Sequence, residues 1–533
     1  MGNIKLLDCT LRDGGYVNDW DFGHDNIVSV FERLVSSNVE IIEVGFLDDR
    51  RPFDIGKTIT PDTKGIDKIY GDLDKGNALV VGMIDYGTCD ISNIANAKDS
   101  YLDGIRVIFK EPIKEKALAY CKEIKDLGYK MFVQLVSITS YTDEQMMELI
   151  ELVNNLKPYA VSMVDTYGLL HKNHLMHYYK ILDKYLLPEI GLGYHSHNNF
   201  QLGYANCIEM LEAKTERMIL VDGTLYGMGK SAGNTPLELL AMHLNDCYGK
   251  SYDVGQMLEA IDVNILSEYR KKSWGYTMGY YISAANDCHP SYVEYLRGKH
   301  TLSIKSVNEI LQTISDERKL AYDKDYIEDL YLNYQKRDIN DEDAYKNLKD
   351  ELEGKNILLL GPGKSINENE ILINNFIENQ KSTVISTNFK PKNCKADYIF
   401  ISNSKRYIQL ATELSKSDCN LKTIATSNVT KTSGKFDFTL ECSSLLDYHE
   451  DAIFPDNSFI MLLKVMIKVG VKKVSLAGYD GYSVEKNENY YKESMEYKFD
   501  PEKARKINEY VMKKIKEMSK DIEIEFLTRS NYE

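Results

Sequence analysis

A chain of 533 residues is longer than one ordinary core organises, so two or three domains are expected. Its 43% apolar and 27% charged residues describe a globular protein, and a formal net charge of −16 excludes a nucleic acid held by a net basic field. Nine scattered cysteines without a CxxC pair, no signal-peptide pattern at the start and no apolar run near roughly 18 residues predict reduced thiols, a cytoplasmic location and no membrane partner.

Short apolar runs alternate with helix-period segments eight times before about residue 245. The expected strands are Ile4–Cys9, Ile41–Val44, Ala78–Met83, Gly104–Phe109, Met131–Val136, Ala160–Val164, Gly191–Tyr194 and Met218–Val221. Between the first two, Ile27, Val30, Phe31, Leu34 and Val35 recur at the spacing of a buried helix stripe. Eight such units predict a (β/α)8 barrel over residues 1–250. Polar residues cluster at or just after the strands: Arg12 and Asp13, Glu43, Asp85, Gln134, Asp165 and Thr166, His195 and His197, and Asp222. A barrel of this kind builds its active site at the C-terminal strand ends, so these side chains should share one mouth.

His195 and His197 are two apart in an extended segment and therefore point the same way. With Asp13 from another strand they compose a two-His, one-carboxylate set for a divalent cation, with positions left for substrate oxygens. With no third histidine and no cysteine in the His195–Asn198 segment, the set favours Mn²⁺, with Mg²⁺ or Co²⁺ as alternatives, over a structural Zn²⁺. Arg12 would set a donor fork beside the same oxygens and stabilise developing negative charge.

Residues 251–345 read as a helical extension and linker, with aromatic clusters at Trp274-Gly275-Tyr276 and Gly279-Tyr280-Tyr281. The mixed-charge stretch from Gln335-Lys336-Arg337-Asp338 to Asp350-Glu351 reads as a solvated helix, and a boundary is expected near 340–354. Over 346–533, apolar strand candidates at 356–360, Thr383–Thr387, Tyr398–Ser402, Thr423–Thr426, Val474–Ala477 and Ile522–Leu527 predict a doubly wound, Rossmann-like α/β domain. Its opening Gly361-Pro362-Gly363-Lys364-Ser365 is not a P-loop, because Leu358 replaces the required first glycine, and Ile366 replaces the third glycine of a dinucleotide fingerprint. What remains is a glycine turn, with Gly361 and Gly363 as cofactor-binding candidates through backbone N–H groups.

Five segments in order resemble signatures of the DRE-TIM metallolyases: Asp8-Cys9-Thr10-Leu11-Arg12-Asp13-Gly14-Gly15, Glu43-Val44-Gly45-Phe46, Val164-Asp165-Thr166-Tyr167-Gly168, His195-Ser196-His197-Asn198 and the glycine loop Gly227–Pro236. The resemblance spans residues 3–245 and is strongest toward 4-hydroxy-2-oxovalerate aldolases. It implies metal ligation by Asp13, His195 and His197 with Asn234 as an additional amide, and polarisation of the substrate by Arg12. It further implies a substrate pocket bordered by Glu43, Gln134, Asp165 and Thr166. The activity it implies is metal-dependent cleavage of a 4-hydroxy-2-oxo acid to pyruvate and an aldehyde, or the reverse. Tyr16 stands where those aldolases carry their catalytic histidine, and a phenol near pKa ~10 is a poor base at neutral pH. His289 is the alternative proton carrier. The synthases' Glu-Gln and the CoA lyases' loop cysteine are both missing, which leaves acyl-CoA condensation or cleavage as the alternative on this barrel. The C-terminal part resembles sialyltransferase-like Rossmann domains, which implies a nucleotide-sugar ligand and, as a further alternative, a transferase with the barrel as accessory. A homodimer is expected.

Overall fold

In the computed structural model, residues 3–319, 321–336, 339–416, 420–429, 434–447, 454–483, 489–496 and 501–533 are described. Cys419, Arg337 and Asp338 lie outside them. The chain divides into two compact units, residues 1–290 and 291–533.

In the first unit nine strands run in chain order: β1 (Ile4–Asp8), β2 (Ile41–Leu47), β3 (Ile59–Thr60), β4 (Leu79–Asp85), β5 (Gly104–Phe109), β6 (Lys130–Leu135), β7 (Ala160–Asp165), β8 (Gly191–Ser196) and β9 (Ile219–Gly223). Their order is β1-β9-β8-β7-β6-β5-β4-β2-β3, and β1 also pairs with β2, which closes an eight-stranded barrel with β3 as an outer flank. Every pairing between these strands is parallel. The eight expected strands are the eight barrel strands, with ends shifted by up to three residues. The unexpected β3 is only two residues long, too short to carry a pattern.

Packing explains the sequence pattern. The helix His24–Ser36 turns Ile27, Val30, Phe31 and Leu34 inward, while Val35 is half-buried. Inside the barrel, Leu7, Ile41, Val81, Phe132, Ala160 and Leu220 form an apolar plug. Polar side chains occupy the strand positions above that plug, where the barrel opens.

The second unit holds a parallel sheet of β10 (Ile357–Leu360), β11 (Thr383–Thr387), β12 (Tyr398–Ile401), β13 (Lys422–Thr426), β14 (Phe438–Leu440), β15 (Lys473–Ala477) and β16 (Glu523–Phe526). The order β14-β13-β12-β11-β10-β15-β16 runs outward from β10 on one side, then restarts at β15 on the other. That is the doubly wound pattern, with its switch point between β10 and β15. The helix Glu342–Leu352 is not merely solvated: Tyr345, Leu348 and Leu352 are buried in this unit's core. Its many charged positions hide a narrow apolar stripe.

Eight free cysteines are described; Cys247 is exposed, Cys394 half-buried and the other six buried. Among the described residues no helix is long and apolar enough to cross a membrane.

Candidate active site

β1 ends at Asp8 and turns directly into a one-turn helix, Thr10–Asp13. Asp8 organises that turn by accepting hydrogen bonds from the Thr10 N–H (3.0 Å) and hydroxyl (2.6 Å). The turn delivers Arg12 and Asp13, both buried, over the barrel opening. Arg12 Nη1 donates to Asp13 Oδ2 (2.5 Å), and its Nε to Glu43 Oε2 (2.7 Å) on β2.

From β8 and the residue beyond it, both imidazoles reach the same carboxylate: His195 Nε2 lies 3.2 Å from Asp13 Oδ2, and His197 Nε2 lies 3.8 Å from Oδ1. Each ring is oriented by its other nitrogen. His195 Nδ1 donates to Asp222 Oδ2 on β9 (3.0 Å), and His197 Nδ1 to the Asp165 backbone carbonyl (3.1 Å). With both Nδ1 positions protonated, both Nε2 lone pairs face Asp13. Two lone pairs and a carboxylate turned on one buried point repel one another unless a cation lies between them.

The donor set fits a divalent ion. Asp13, His195 and His197 each offer a ligand atom, all within 4.8 Å of one another. His197 Nε2 and Asn234 Oδ1 are buried without a hydrogen-bond partner, as expected of groups that await a cation. Asn234 Nδ2 lies 3.2 Å from His195 Nε2, so this amide borders the same point. The glycine loop makes room for it: a Cβ on Gly229 would fall 1.8 Å from Asn234 Oδ1 and 2.9 Å from Asp13 Oδ1. A second cluster, Cys9 with His195 and Asp222, is of another kind. Burial holds the Cys9 thiol well above its ordinary pKa, its Sγ donates to the Gly223 carbonyl (3.3 Å), and Asp222 is already engaged.

Beneath the ligands lies a side chain that the sequence analysis did not single out. Arg106 on β5, fully buried, joins three strands. Its Nη2 donates to Gln134 Oε1 (2.9 Å) and to Asp222 Oδ2, and its Nη1 lies 3.1 Å from Glu43 Oε2. The signal was present, since Arg106 is the one charged residue in the apolar run Gly104–Phe109.

The residues expected to border substrate are thus engaged with the protein. Glu43 and Gln134 hold Arg106. The Asp165 carboxylate accepts the Leu169 (2.8 Å) and Leu170 (3.1 Å) N–H groups, and burial raises its pKa to about 6. Thr166 Oγ1 accepts the Ser137 N–H (2.7 Å). Tyr16 packs edge-on against Trp20 and Phe46 at the mouth, and desolvation pushes its phenol up to about 12. Burial, with Lys230 and Lys110 as further causes, lowers the pKa of His289. The chain before His289 covers the mouth: Trp274 Nε1 donates to the Tyr226 carbonyl (2.9 Å), and the Tyr281 ring lies 6.1 Å from Phe200, just beyond the metal-site histidines.

In the second unit, Gly361 and Gly363 sit where the loops after β10 and β15 touch. Their N–H groups donate to the Ala477 and Gly478 carbonyls (2.8 Å each), and a Cβ on either would fall 2.5 Å from Gly478 O. Two residues on, the Ser365 N–H donates to the Asp480 carboxylate (2.8 Å). The protein's own carboxylate therefore fills the place a phosphate would take at such a turn. Beside it, a cleft of about 1060 Å³ including its solvent mouth is lined by Asn388, Asn403, Arg406, Tyr479 and Tyr490 among others.

A closed parallel barrel thus brings two histidines, one aspartate and an arginine together at its C-terminal mouth, a donor set suited to a divalent ion beside a small oxygen-rich substrate. Residues 3–263, just under half of the chain, match the HMGL-like family model, so this part of the chain carries an HMGL-like domain. Among similar proteins are a 4-hydroxy-2-oxovalerate aldolase of Rhodococcus jostii (strain RHA1), 26% identical over 45% of this chain and 67% of that protein, and one of Pelotomaculum thermopropionicum, 26% identical over 49% and 76%. An oxaloacetate decarboxylase of Mycobacterium tuberculosis is 24% identical over 45% of this chain and 69% of its own length.

Proposed function

We propose that the first unit is a divalent-metal-dependent aldolase that cleaves a 4-hydroxy-2-oxo acid to pyruvate and an aldehyde, or runs the addition. The observation that carries this reading is the convergence of Asp13, His195, His197 and Arg12 on one point at the barrel mouth. Asp13, His195 and His197 would hold the ion, with Asn234 beside them, and Mn²⁺ suits this N₂O donor set. When bound, the ion supplies Lewis acidity toward the substrate's carbonyl and carboxylate oxygens.

The chain's own groups do the rest. Arg12 is held from two sides, by Glu43 and Asp13, so its guanidinium is preorganised to stabilise the enolate oxygen that forms as the C–C bond breaks. Tyr16, with its pKa pushed up to about 12, keeps its proton at neutral pH and serves as a hydrogen-bond donor. His289, with its pKa lowered by burial, is neutral there and is the proton acceptor for the 4-hydroxyl group in cleavage. Buried free thiols agree with a cytoplasmic setting.

The test is pyruvate release from 4-hydroxy-2-oxo acids with Mn²⁺, comparing wild type with Asp13→Asn and His195→Ala. Metal-dependent release lost in both variants is the expected result. Tight metal binding without pyruvate would leave the donor set standing and turn the reading to acyl-CoA chemistry, read as free thiol release.

For the second unit we propose a phosphate-bearing ligand of the nucleotide-sugar type in the cleft beside the β10–β15 switch point. Open α/β sheets bind ligands in that position. Arg406 lies in its wall, 5.2 Å from the Tyr490 ring centre. Calorimetry with a panel of nucleoside diphosphate sugars tests this, and heat unchanged by Arg406→Met would count against it.

A further inference from the structure

Two lysines at the barrel mouth have no part in the aldolase reading. Lys110 follows β5 and Lys230 lies in the loop after β9, the fourth and eighth barrel strands, so they enter from opposite sides. Lys230 is fixed against the metal-site carboxylate: its N–H donates to Asp13 Oδ1 (3.0 Å), and its Nζ lies 5.4 Å from the centre of the Tyr16 ring. The Lys110 charge acts on Lys230, and both act on His289, in keeping with their places at opposite strand ends of one mouth.

Neither ammonium has an acid partner. Among the described residues no carboxylate lies within 4.0 Å of Lys110 Nζ or Lys230 Nζ; many lysines of this unit are unpaired too, and what sets these two apart is their place at the barrel mouth. Lys230 interacts most with Asp13, which a bound divalent ion would engage, and both lysines act on Asp85 at the end of β4. With Asp13 given to the ion, the two cations across this mouth share one acid, Asp85, and form a site short of negative charge. In the aldolase reading the carbonyl and carboxylate oxygens of the 2-oxo acid already face the ion and Arg12, which leaves the other end of the substrate to these lysines.

We infer that Lys110 and Lys230 bind an anionic group, phosphate or carboxylate, at the aldehyde end of the substrate. This rests on the aldolase reading for its role in turnover, while the anion site itself is tested by binding. With the full-length Mn²⁺-loaded protein, thermal-shift titrations compare glycerol 3-phosphate, glycerate and glycerol. At least one of the two anions should bind at least about tenfold more tightly than glycerol, and the tighter of the two identifies the group. Lys110→Met and Lys230→Met should each weaken that anion about tenfold, the size of one charge-assisted hydrogen bond. Lys110→Arg, at an exposed position, should restore most of it.

Equal binding of anion and glycerol, or anion binding unchanged in both methionine variants, would overturn the inference. The kinetic counterpart is the ratio of kcat/KM for a phosphorylated or carboxylated aldehyde over a neutral one of equal length, with pyruvate as partner. That ratio should exceed ten and fall in both variants. Lysine-dependent anion binding with no pyruvate consumed from any aldehyde would retire the aldolase reading and leave the anion site in place.

Discussion

His195 shows how much of this site is set one step behind the metal. Its Nδ1 proton goes to Asp222, and Asp222 is itself steadied by Arg106, so the free Nε2 lone pair depends on a strand the ion never touches. Asp222→Asn should weaken Mn²⁺ by about 10–100-fold while the fold persists, read by metal titration beside circular dichroism. Arg106→Leu is a different lesion, because it leaves Glu43 and Asp222 as buried carboxylates without their shared cation. A loss of about 3–5 kcal/mol in a urea titration is expected. Asp8 gives the residue scale its pH signature. Burial raises its pKa from 3.8 to about 7, so between those values the folded state holds a proton that the unfolded chain has released. Stability from this group is therefore full below pH 4 and falls by about 1.4 kcal/mol per pH unit up to pH 7. Asp8→Asn should flatten that slope in denaturant titrations of the metal-free protein.

At the scale of elements, legibility followed length and periodicity. The barrel strands were readable because each is an apolar run of five to seven residues, and His195 and His197 because period two leaves them no choice of face. β3 and β14, two and three residues long, carry no period, and the stripe of helix Glu342–Leu352 is masked by its charges. Arg106 was passed over because its strand reads as apolar, although a lone charge in such a run is itself the sign of an inward polar layer. The close packing of loops was hidden as well, since no pattern reports it. β2 shows the consequence: its register with β4 shifts between Glu43 and Phe46, and Gly45 there has φ +153°, with a virtual Cβ 1.9 Å from the Thr58 carbonyl beside β3. Gly45→Ala should cost about 2 kcal/mol or more by forcing β3 off β2, measurable as a lowered urea midpoint. Because Glu43 sits at the start of the same irregularity and braces Arg12, the variant should also lose activity beyond what its stability explains.

For the whole molecule, two units with separate cores imply separate responses to a ligand that only one of them binds. The donor set lies within residues 1–290, whose apolar plug and outer core are distinct from the core around β10–β16. A bound ion stabilises only the state that presents all of its ligands at once, by about 2.7 kcal/mol at a hundred times Kd. Calorimetry should therefore resolve two transitions, of which one moves upward with Mn²⁺ and returns with chelator. His195→Ala should leave both transitions present and abolish the shift. A single transition that moves with metal would mean that the units unfold as one cooperative body, and a shift that survives His195→Ala would place the ion elsewhere. The same scan with a nucleotide-sugar should move the other transition alone, so one instrument separates the chemistry assigned to the barrel from the binding assigned to the sheet.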